Sequence, residues 1–529
     1  MLVSLDASCA DPLHRQVYDG LRDAILQGRL APGARIPSTR VLAADLGVAR
    51  NTITLAFDQL RAEGYVVGRR GGGTRVRSVV PDALLRVPAV RAGGARTERV
   101  YRSVRAVARA SAPSISRQIG PAPRSVPVEN LAELSTRGAR LVAAGRTIVC
   151  RPDAPPVTFR LGVPALDEFP SNVWARLTAR RWRRGAVALI GSDVGGEHAL
   201  RSAIADYVAS ARGARCGADQ VFMVSGTHQA LDLVARVLLD VNDVVWMEDP
   251  GYGGARATLE SSGLKVMPVP VDDEGIDVAA GERLAPNARL AYVTPSHQFP
   301  LGTVMSASRR LALLSWARCT GAWIIEDDYD SEFRYAGRPL PCLQGLDVDQ
   351  RGTGSTARVL YVGTFSKTLV PGMRIAYLVV PEHLVDVFRS ARAATDRHPA
   401  TISQGVLTDF IVEGHYARHV RRVRALYAER QAALVEAAGR KLAGAVNIAP
   451  HAAGLHVVGW LPHGVSDVSA VDAAMHAGVE LYSLSRFSMM PRTGDAPGAL
   501  LFGYAGFSER AIRRGVDRLA AVLENVARR

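Results

Sequence analysis

Residues 361–377 read YVGTFSKTLVPGMRIAY, and how this stretch folds decides the larger part of the chain. Its first residues form a short apolar run of the kind that makes a buried strand, and the run ends in small hydroxyl residues around Lys367. A lysine at the end of a buried strand loses hydration, which favours its neutral form. A neutral amine there can attack an aldehyde and form a Schiff base. Arg374 follows after a Pro-Gly turn and is placed to grip a phosphate, while Thr364 and Ser366 add hydroxyl donors. A lone lysine in such a run is usually a surface ammonium; the spacing SKxxxPGxR sets this one apart.

Working outward, similar runs recur as VFMVSG (221–226), DVVWMED (243–249), RLAYVTP (289–295), AWIIEDDY (322–329), RVLYVGTF (358–365) and RIAYLVV (374–380). Short buried strands alternating with helical patterns, from about Phe159 to the end, predict a mostly parallel α/β sheet. AWIIEDDY ends in acids, and one carboxylate there suits the protonated ring nitrogen of pyridoxal phosphate, which makes the ring an electron sink. Ser225, Gly226 and Thr227 fall at a strand-to-helix turn whose free amides suit a phosphate. A lone Ser-Gly-Thr is weak evidence, since any such turn can carry it.

The 529 residues are too many for one compact core. Three zones differ in composition: a compact head at 1–77, an Arg/Ala/Pro-rich linker at 78–156, and the α/β domain at 157–529. The linker, expected to be at least partly disordered, carries Arg86, Arg91, Arg96, Arg99, Arg102, Arg105 and Arg109, which suit either a solvated spacer or non-specific phosphate contact. A net charge of +15 favours a polyanionic partner, nucleic acid or an anionic membrane. Residues 1–16 lack the apolar core of a signal peptide, and no run approaches the ~18 apolar residues of a spanning helix, so nucleic acid gains over membrane. Cys9, Cys150, Cys216, Cys319 and Cys342 are odd in number and scattered, giving neither a disulfide framework nor a metal site. Reduced thiols in cytoplasm are expected.

In the head, Leu13, Val17, Leu21, Ile25 and Leu26 recur at helical spacing. Ser38 is a good N-cap for a second helix, Thr39 to Leu46, which Gly47 can end. A third helix is expected from Arg50 to Glu63, with Ile53, Phe57 and Leu60 as its core stripe. A strand at Tyr65–Val67 would then meet Arg75–Val76 across the turn RRGGGT as a β-wing. Two short helices joined by a tight turn and followed by a basic wing make a winged helix-turn-helix DNA reader. Arg50, Asn51 and Thr52 sit where side chains reach base edges, and Arg40, Arg69 and Arg70 where they hold phosphates.

The head resembles the DNA-binding domain of GntR-type bacterial regulators, on QGRLAPGARIPSTRVLAADLGVARNTI and LRAEGYVVGRRGGGTRV. That resemblance assigns DNA contacts to Arg40, Arg50, Asn51, Thr52, Gly72 and Gly73. The larger part resembles fold-type I aminotransferases, whose domain is a mostly parallel sheet flanked by helices with a small C-terminal α+β subdomain. The motifs are FRLGVPALDEFPSNVW, DVGGEHALRSAIADYVASARG, EDPGYGGAR, TPSHQFPLG, EDDYDSEFRY, SKTLVPGMR, GHYARHVRRVR and LLFGYA. The order of parts resembles the MocR subfamily of regulators.

The resemblance implies that Lys367 carries pyridoxal 5'-phosphate as a Schiff base, Asp327 pairs with the pyridine nitrogen, and Tyr329 contacts the ring oxygen. Tyr252 would stack on the ring. Ser225, Gly226, Thr227, Thr364, Ser366 and Arg374 would surround the phosphate. His297 or Gln298 stands where aminotransferases have an asparagine. Where those enzymes bind the substrate carboxylate with an arginine, this chain has Leu501; Arg486 is the substitute a neighbouring loop offers. Two functions follow: a regulator that senses pyridoxal phosphate, an amine or an amino acid, or a working aminotransferase with a DNA-binding head. The missing arginine leans toward sensing. A homodimer on an operator is expected.

Overall fold

The structure is a computed structural model, and it describes residues 13–26, 29–31, 33–62, 65–69, 73–76, 134–147, 157–185, 187, 191–335, 341–347, 357–491 and 497–526. They divide into two units, with the boundary between residues 129 and 130.

The smaller unit contains α1 (Leu13–Leu26), β1 (Arg35–Ile36), α2 (Thr39–Asp45), α3 (Arg50–Ala62), β2 (Val66–Arg69) and β3 (Gly73–Val76). Val17, Leu21 and Ile25 of α1 share one core with Ile53, Phe57 and Leu60 of α3. Leu13, expected on the same face, is instead 44% exposed. Helical side chains lean toward the N-terminus, so that of the first residue overhangs the end of the helix. Ser38 Oγ accepts the Val41 amide at 3.3 Å and starts α2 at Thr39; Gly47, with φ of 64°, follows its end. The wing is wider than the sequence suggested. β2 pairs with β3 from Val66↔Val76 to Arg69↔Gly73, and β1 adds to the other edge of β3. Two residues of β1 are too few to display a period of two.

The larger unit runs α4 (Thr136–Thr147), α5 (Ser171–Trp182), α6 (His198–Arg212), β4 (Val221–Val224), α7 (Thr227–Leu238), β5 (Val244–Asp249), α8 (Gly253–Ser261), β6 (Lys265–Asp272), β7 (Gly275–Ile276), α9 (Val278–Leu284), β8 (Leu290–Val293), α10 (Ala307–Thr320) and β9 (Trp323–Asp328). It continues with α11 (Leu343–Leu346), β10 (Val359–Thr364), β11 (Ala376–Val379), α12 (Val385–Thr395), α13 (Thr401–Val412), α14 (His415–Lys441), β12 (Asn447–Ile448), β13 (His456–Trp460), α15 (Asp467–His476), β14 (Tyr482–Ser483), β15 (Ala499–Gly503) and α16 (Glu509–Val526).

All six strand-like runs become strands of one eight-stranded sheet, ordered β4-β11-β10-β9-β8-β5-β6-β7. β6, β5, β8, β9 and β10 are parallel; β11 runs against β10 and β4, and β7 against β6. Apolar clusters cover both faces, Phe222, Leu231 and Leu360 on one and Leu200, Tyr361 and Phe410 on the other, which is why these strands are apolar throughout rather than alternating. A second, antiparallel sheet, β12-β13-β15-β14, lies with α14 and α16 around a core of Val457, Phe502 and Leu519.

The stretch 78–156 is not structureless throughout. α4 falls inside it and packs against α8, belonging to the larger unit. Ser135 Oγ accepts the Gly138 amide at 3.0 Å at its start. A helix that buries little beyond Ala144 leaves only a faint apolar pattern, and arginine-rich surroundings conceal it. The seven linker arginines named above lie outside the described residues.

Phe57 is 2% exposed. Phe57→Ala is expected to destabilise the smaller unit by about 3–5 kcal/mol, giving an early transition in denaturant unfolding of the full chain. A curve that overlays the parent's would mean that Phe57 carries no core packing.

Candidate functional site

The sheet order brings the C-terminal ends of β4, β5, β8, β9 and β10 to one side, where ligands of open α/β sheets collect. Lys367 follows β10. Its side chain is half-buried, and Nζ donates to the carbonyl of Gly162 at 3.1 Å. Gly162 has φ of 71°, and a Cβ there would come within 2.6 Å of that amine. The approach therefore requires glycine. Dehydration lowers the pKa of Lys367, against the pull of Asp330 and Asp327.

Asp327, at the end of β9, is 4% exposed. One oxygen, Oδ2, accepts the Tyr292 hydroxyl at 2.6 Å, and the other, Oδ1, is buried with no hydrogen-bond partner. Burial pushes its pKa up to about 7, with Tyr292 opposing and Asp328 adding. Tyr329 and Asp330 follow. His297 Nδ1 lies 3.0 Å from the Tyr329 hydroxyl and 2.9 Å from Asp330 Oδ2. Asp328 points to the other face, where it pairs with Arg212 Nε at 2.6 Å and accepts the Tyr361 hydroxyl at 2.6 Å. These partners follow from alternation along a strand.

At the β4–α7 turn, Gly226 has φ of 145°, and a Cβ there would meet the Arg374 guanidinium at 2.7 Å. The first amides of α7 and the Arg374 cation thus face one spot, an anion cradle. Arg374 is exposed and has no ion pair among the described residues. Thr364 Oγ1 accepts the Ser366 amide at 3.1 Å, and the Ser225 amide donates to Gln229 at 2.7 Å. Tyr252, just before α8, packs edge-on against Phe299 at 5.8 Å and His228 at 6.1 Å.

His297 and Gln298 are separated by their partners. Gln298 is 1% exposed, and its amide donates to the carbonyls of Pro250 and Phe299 and to Glu248. Its hydrogen bonds shape the loop, so it is not the residue facing Tyr329; His297 is. Leu501 is fully buried among Val458, Leu484 and Ala499. Arg486 is exposed, 5.7 Å from the centre of the Tyr482 ring. Sequence reasoning missed Gly162, Tyr292 and Asp330. Tyr292 could have been found, since RLAYVTP puts a tyrosine on the strand beside β9; the Gly162 contact spans 205 positions and has no local signal.

In the head, Arg40 and Arg50 are exposed and Thr52 half-buried, and Arg50 Nε donates to Thr39 Oγ1 at 3.4 Å. Gly73 opens β3. Arg70 and Gly72, and the side chains of Asn51 and Arg69, lie outside the described residues.

The family model described as aminotransferase class I and II matches residues 159–519, and that described as bacterial regulatory proteins, gntR family, matches residues 13–76. The probable rhizopine catabolism regulatory protein MocR of Rhizobium meliloti is 40% identical over 522 residues, 98% of this chain and 95% of that one. The chain belongs to the MocR subfamily of GntR-type transcription regulators. The HTH-type pyridoxine biosynthesis transcriptional regulator PdxR of Corynebacterium glutamicum is 28% identical over 499 residues, 94% of this chain and 93% of that one. Among solved structures, LysN, the alpha-aminoadipate aminotransferase of Thermus thermophilus, complexed with N-(5'-phosphopyridoxyl)-L-leucine, matches with a TM-score of 0.63 at 27% identity. That match covers 74% of this chain and 95% of the other. This MocR-type regulator thus joins a GntR helix-turn-helix domain to an aminotransferase-like one. Among the described residues, no helix is long and apolar enough to cross a membrane.

Asp327 in this regulator gives a pH test. Its folded pKa, near 7, lies above the ordinary carboxylate value, so the folded ligand-free chain binds the extra proton and loses stability as pH rises through that window. Asp327→Asn removes this contribution. Its melting temperature is expected to fall less than the parent's between about pH 5 and pH 7. Equal slopes would mean that Asp327 is already ionised when folded.

Proposed function

We propose that this regulator binds pyridoxal 5'-phosphate at Lys367 and reads the cofactor itself, or an amine or amino acid arriving at the same place, to set how its heads hold an operator. When bound, pyridoxal phosphate supplies an aldehyde that condenses with primary amines and a ring that draws electrons. The observation that carries the reading is Asp327 Oδ1, a buried acceptor without a donor, at the same strand ends as a dehydrated lysine. A protonated pyridine nitrogen is the donor that such an atom needs, and the cation would favour the ionised carboxylate.

The other groups suit the same molecule. Lys367 offers the amine. Arg374, Gly226, Thr227 and the hydroxyls of Ser225, Thr364 and Ser366 offer charge and donors for a phosphate. Tyr252 offers a flat face, and Tyr329, steadied by His297, offers its hydroxyl to the ring oxygen. The phosphopyridoxyl ligand of the solved neighbour and the pyridoxine-related name of one relative support this reading.

In the regulatory cycle, Lys367 is the group that changes partners. Its hydrogen bond to Gly162 ties the site to the segment that leads into α5. A ligand that alters this contact biases the protein only through differential affinity for two states. Two copies, each with a head, would read two half-sites; Arg50, Asn51, Thr52, Gly72 and Gly73 serve the recognition element, and Arg40, Arg69 and Arg70 the phosphates. Turnover as an aminotransferase is the second reading, favoured by the gathering of Lys367, Asp327 and Tyr329. Sustained product from an amino-acid panel with 2-oxoglutarate would establish it.

Purified protein should be yellow, and Lys367→Ala should lose the borohydride-trapped cofactor adduct; an adduct that persists at full yield sinks the assignment. Arg374→Ala is expected to weaken cofactor binding roughly 10- to 100-fold, the worth of a charge-assisted hydrogen bond, in equilibrium titration. Arg50→Ala should cost about 1–3 kcal/mol of operator affinity and relax base preference in gel shifts. Unchanged affinity and preference would exclude α3 as the recognition helix.

A further inference from the structure

We propose that the ligand accepted beside Lys367 is a primary amine with an apolar or aromatic tail and no carboxylate, and that Leu501 sets this preference. The inference rests on the reading that Lys367 holds pyridoxal phosphate.

β15 alternates. Leu500 and Phe502 enter the core of the small sheet, while Ala499 and Leu501 form a separate cluster with Val458 and Leu484. The half-buried rim of that second cluster is Leu161, Leu301, Tyr482 and Phe487. The rim belongs to the site. Leu161 adjoins Gly162, the carbonyl that holds Lys367 Nζ. At the other end the Phe487 carbonyl accepts the Gly251 amide at 3.0 Å, and its ring packs edge-on against Phe299 at 5.2 Å. Phe299 in turn meets Tyr252 at 5.8 Å and Tyr329 at 6.1 Å. An apolar wall therefore runs from the lysine to the aromatic residues of the cofactor site.

The charged groups along this wall do not form a carboxylate grip. Arg160 is engaged by Glu480 at 2.8 Å. Arg486 is exposed and lies against the Tyr482 ring. Arg374 is committed to the cradle at Gly226. His456, buried with its Nε2 2.9 Å from the Pro300 carbonyl, has its pKa pushed down to about 3 by burial and by His297, so it is neutral. Holding a carboxylate takes a fixed, preferably bidentate cation, and a carboxylate laid on the apolar rim that covers Leu501 is penalised by lost hydration without one. A hydrocarbon tail on the same wall gains instead with each part of its surface removed from water.

The probes are phenethylamine and L-phenylalanine, which differ only by the carboxylate. Each is titrated into the full-length protein loaded with pyridoxal phosphate, with the spectrum of the bound cofactor and calorimetry as independent readouts. Phenethylamine is expected to bind at least tenfold more tightly, and Leu501→Arg to move the ratio at least tenfold toward L-phenylalanine. Arg486→Ala is expected to leave the parent ratio unchanged. Equal or tighter binding of L-phenylalanine by the parent protein overturns the proposal without any variant, as does binding of neither probe. A loss of L-phenylalanine binding in Arg486→Ala would overturn it too, by naming the grip. A protein that takes up no cofactor and gives no reducible adduct at Lys367 fails at the earlier step, and both readings fall together.

Discussion

Dehydration at the ends of five strands is the constraint on which the rest of this protein depends. The sheet buries Lys367 and Asp327 far enough that each shifts toward its neutral form. In water both would be ordinary surface charges of opposite sign. At the strand ends burial shifts the amine and the carboxylate toward their neutral forms and leaves Asp327 Oδ1 without a partner, at a cost to the ligand-free fold. The fold accepts that penalty locally, and on the proposed reading a ligand carrying a cationic N–H and an aldehyde would relieve it. An unsatisfied buried acceptor costs about 1–3 kcal/mol, so the ligand-free domain holds a reserve that binding can release.

The acids around that pair show how one strand keeps its charges apart. Glu326 accepts the amides of Leu343 and Gln344 at 3.0 Å each, Asp328 takes Arg212 and Tyr361, and Asp330 takes His297. Asp327 and Asp328 each keep one buried oxygen without a hydrogen-bond partner, and of the two only Asp327 lies on the side of Tyr292. Alternation sends Glu326 and Asp328 to one face and Ile325 and Asp327 to the other. The burial of an Arg–Asp pair contributes little net stability, but it leaves a single strand carboxylate available on the face of the site.

Much of this was legible in the sequence. The six apolar runs announce their strands because parallel strands are covered on both faces, and the head's helices follow from Ser38, Gly47 and the Ile53–Phe57–Leu60 stripe. Lys367, Arg374 and the Ser225–Thr227 turn could be read from local chemistry. Choosing Asp327 among three neighbouring acids took family resemblance, because the choice depends on which face of β9 meets Tyr292. Residues joined across the chain were illegible: Gly162 to Lys367, and the commitment of Gln298 to the carbonyls around it. A helix with little apolar burial, α4, was lost in an arginine-rich average.

The Lys367–Gly162 bond also bounds what the proposed sensing could achieve. If dehydration leaves the lysine neutral, the bond is one between uncharged groups, with a net worth of about 0.5–1.5 kcal/mol. Typical coupling between regulatory sites runs to about 1–3 kcal/mol. Breaking that one contact therefore falls at the lower edge of a useful response. A stronger response would have to recruit groups that differ between the two ligand states, and on the proposed reading the wall of Leu161 and Phe487 would supply them. A tail packed there would join the rim of the small sheet to Phe299 and Tyr252, whereas a ligand too short to reach it would touch only the lysine. Apolar reach, more than imine formation alone, would then separate an effector from a bystander amine.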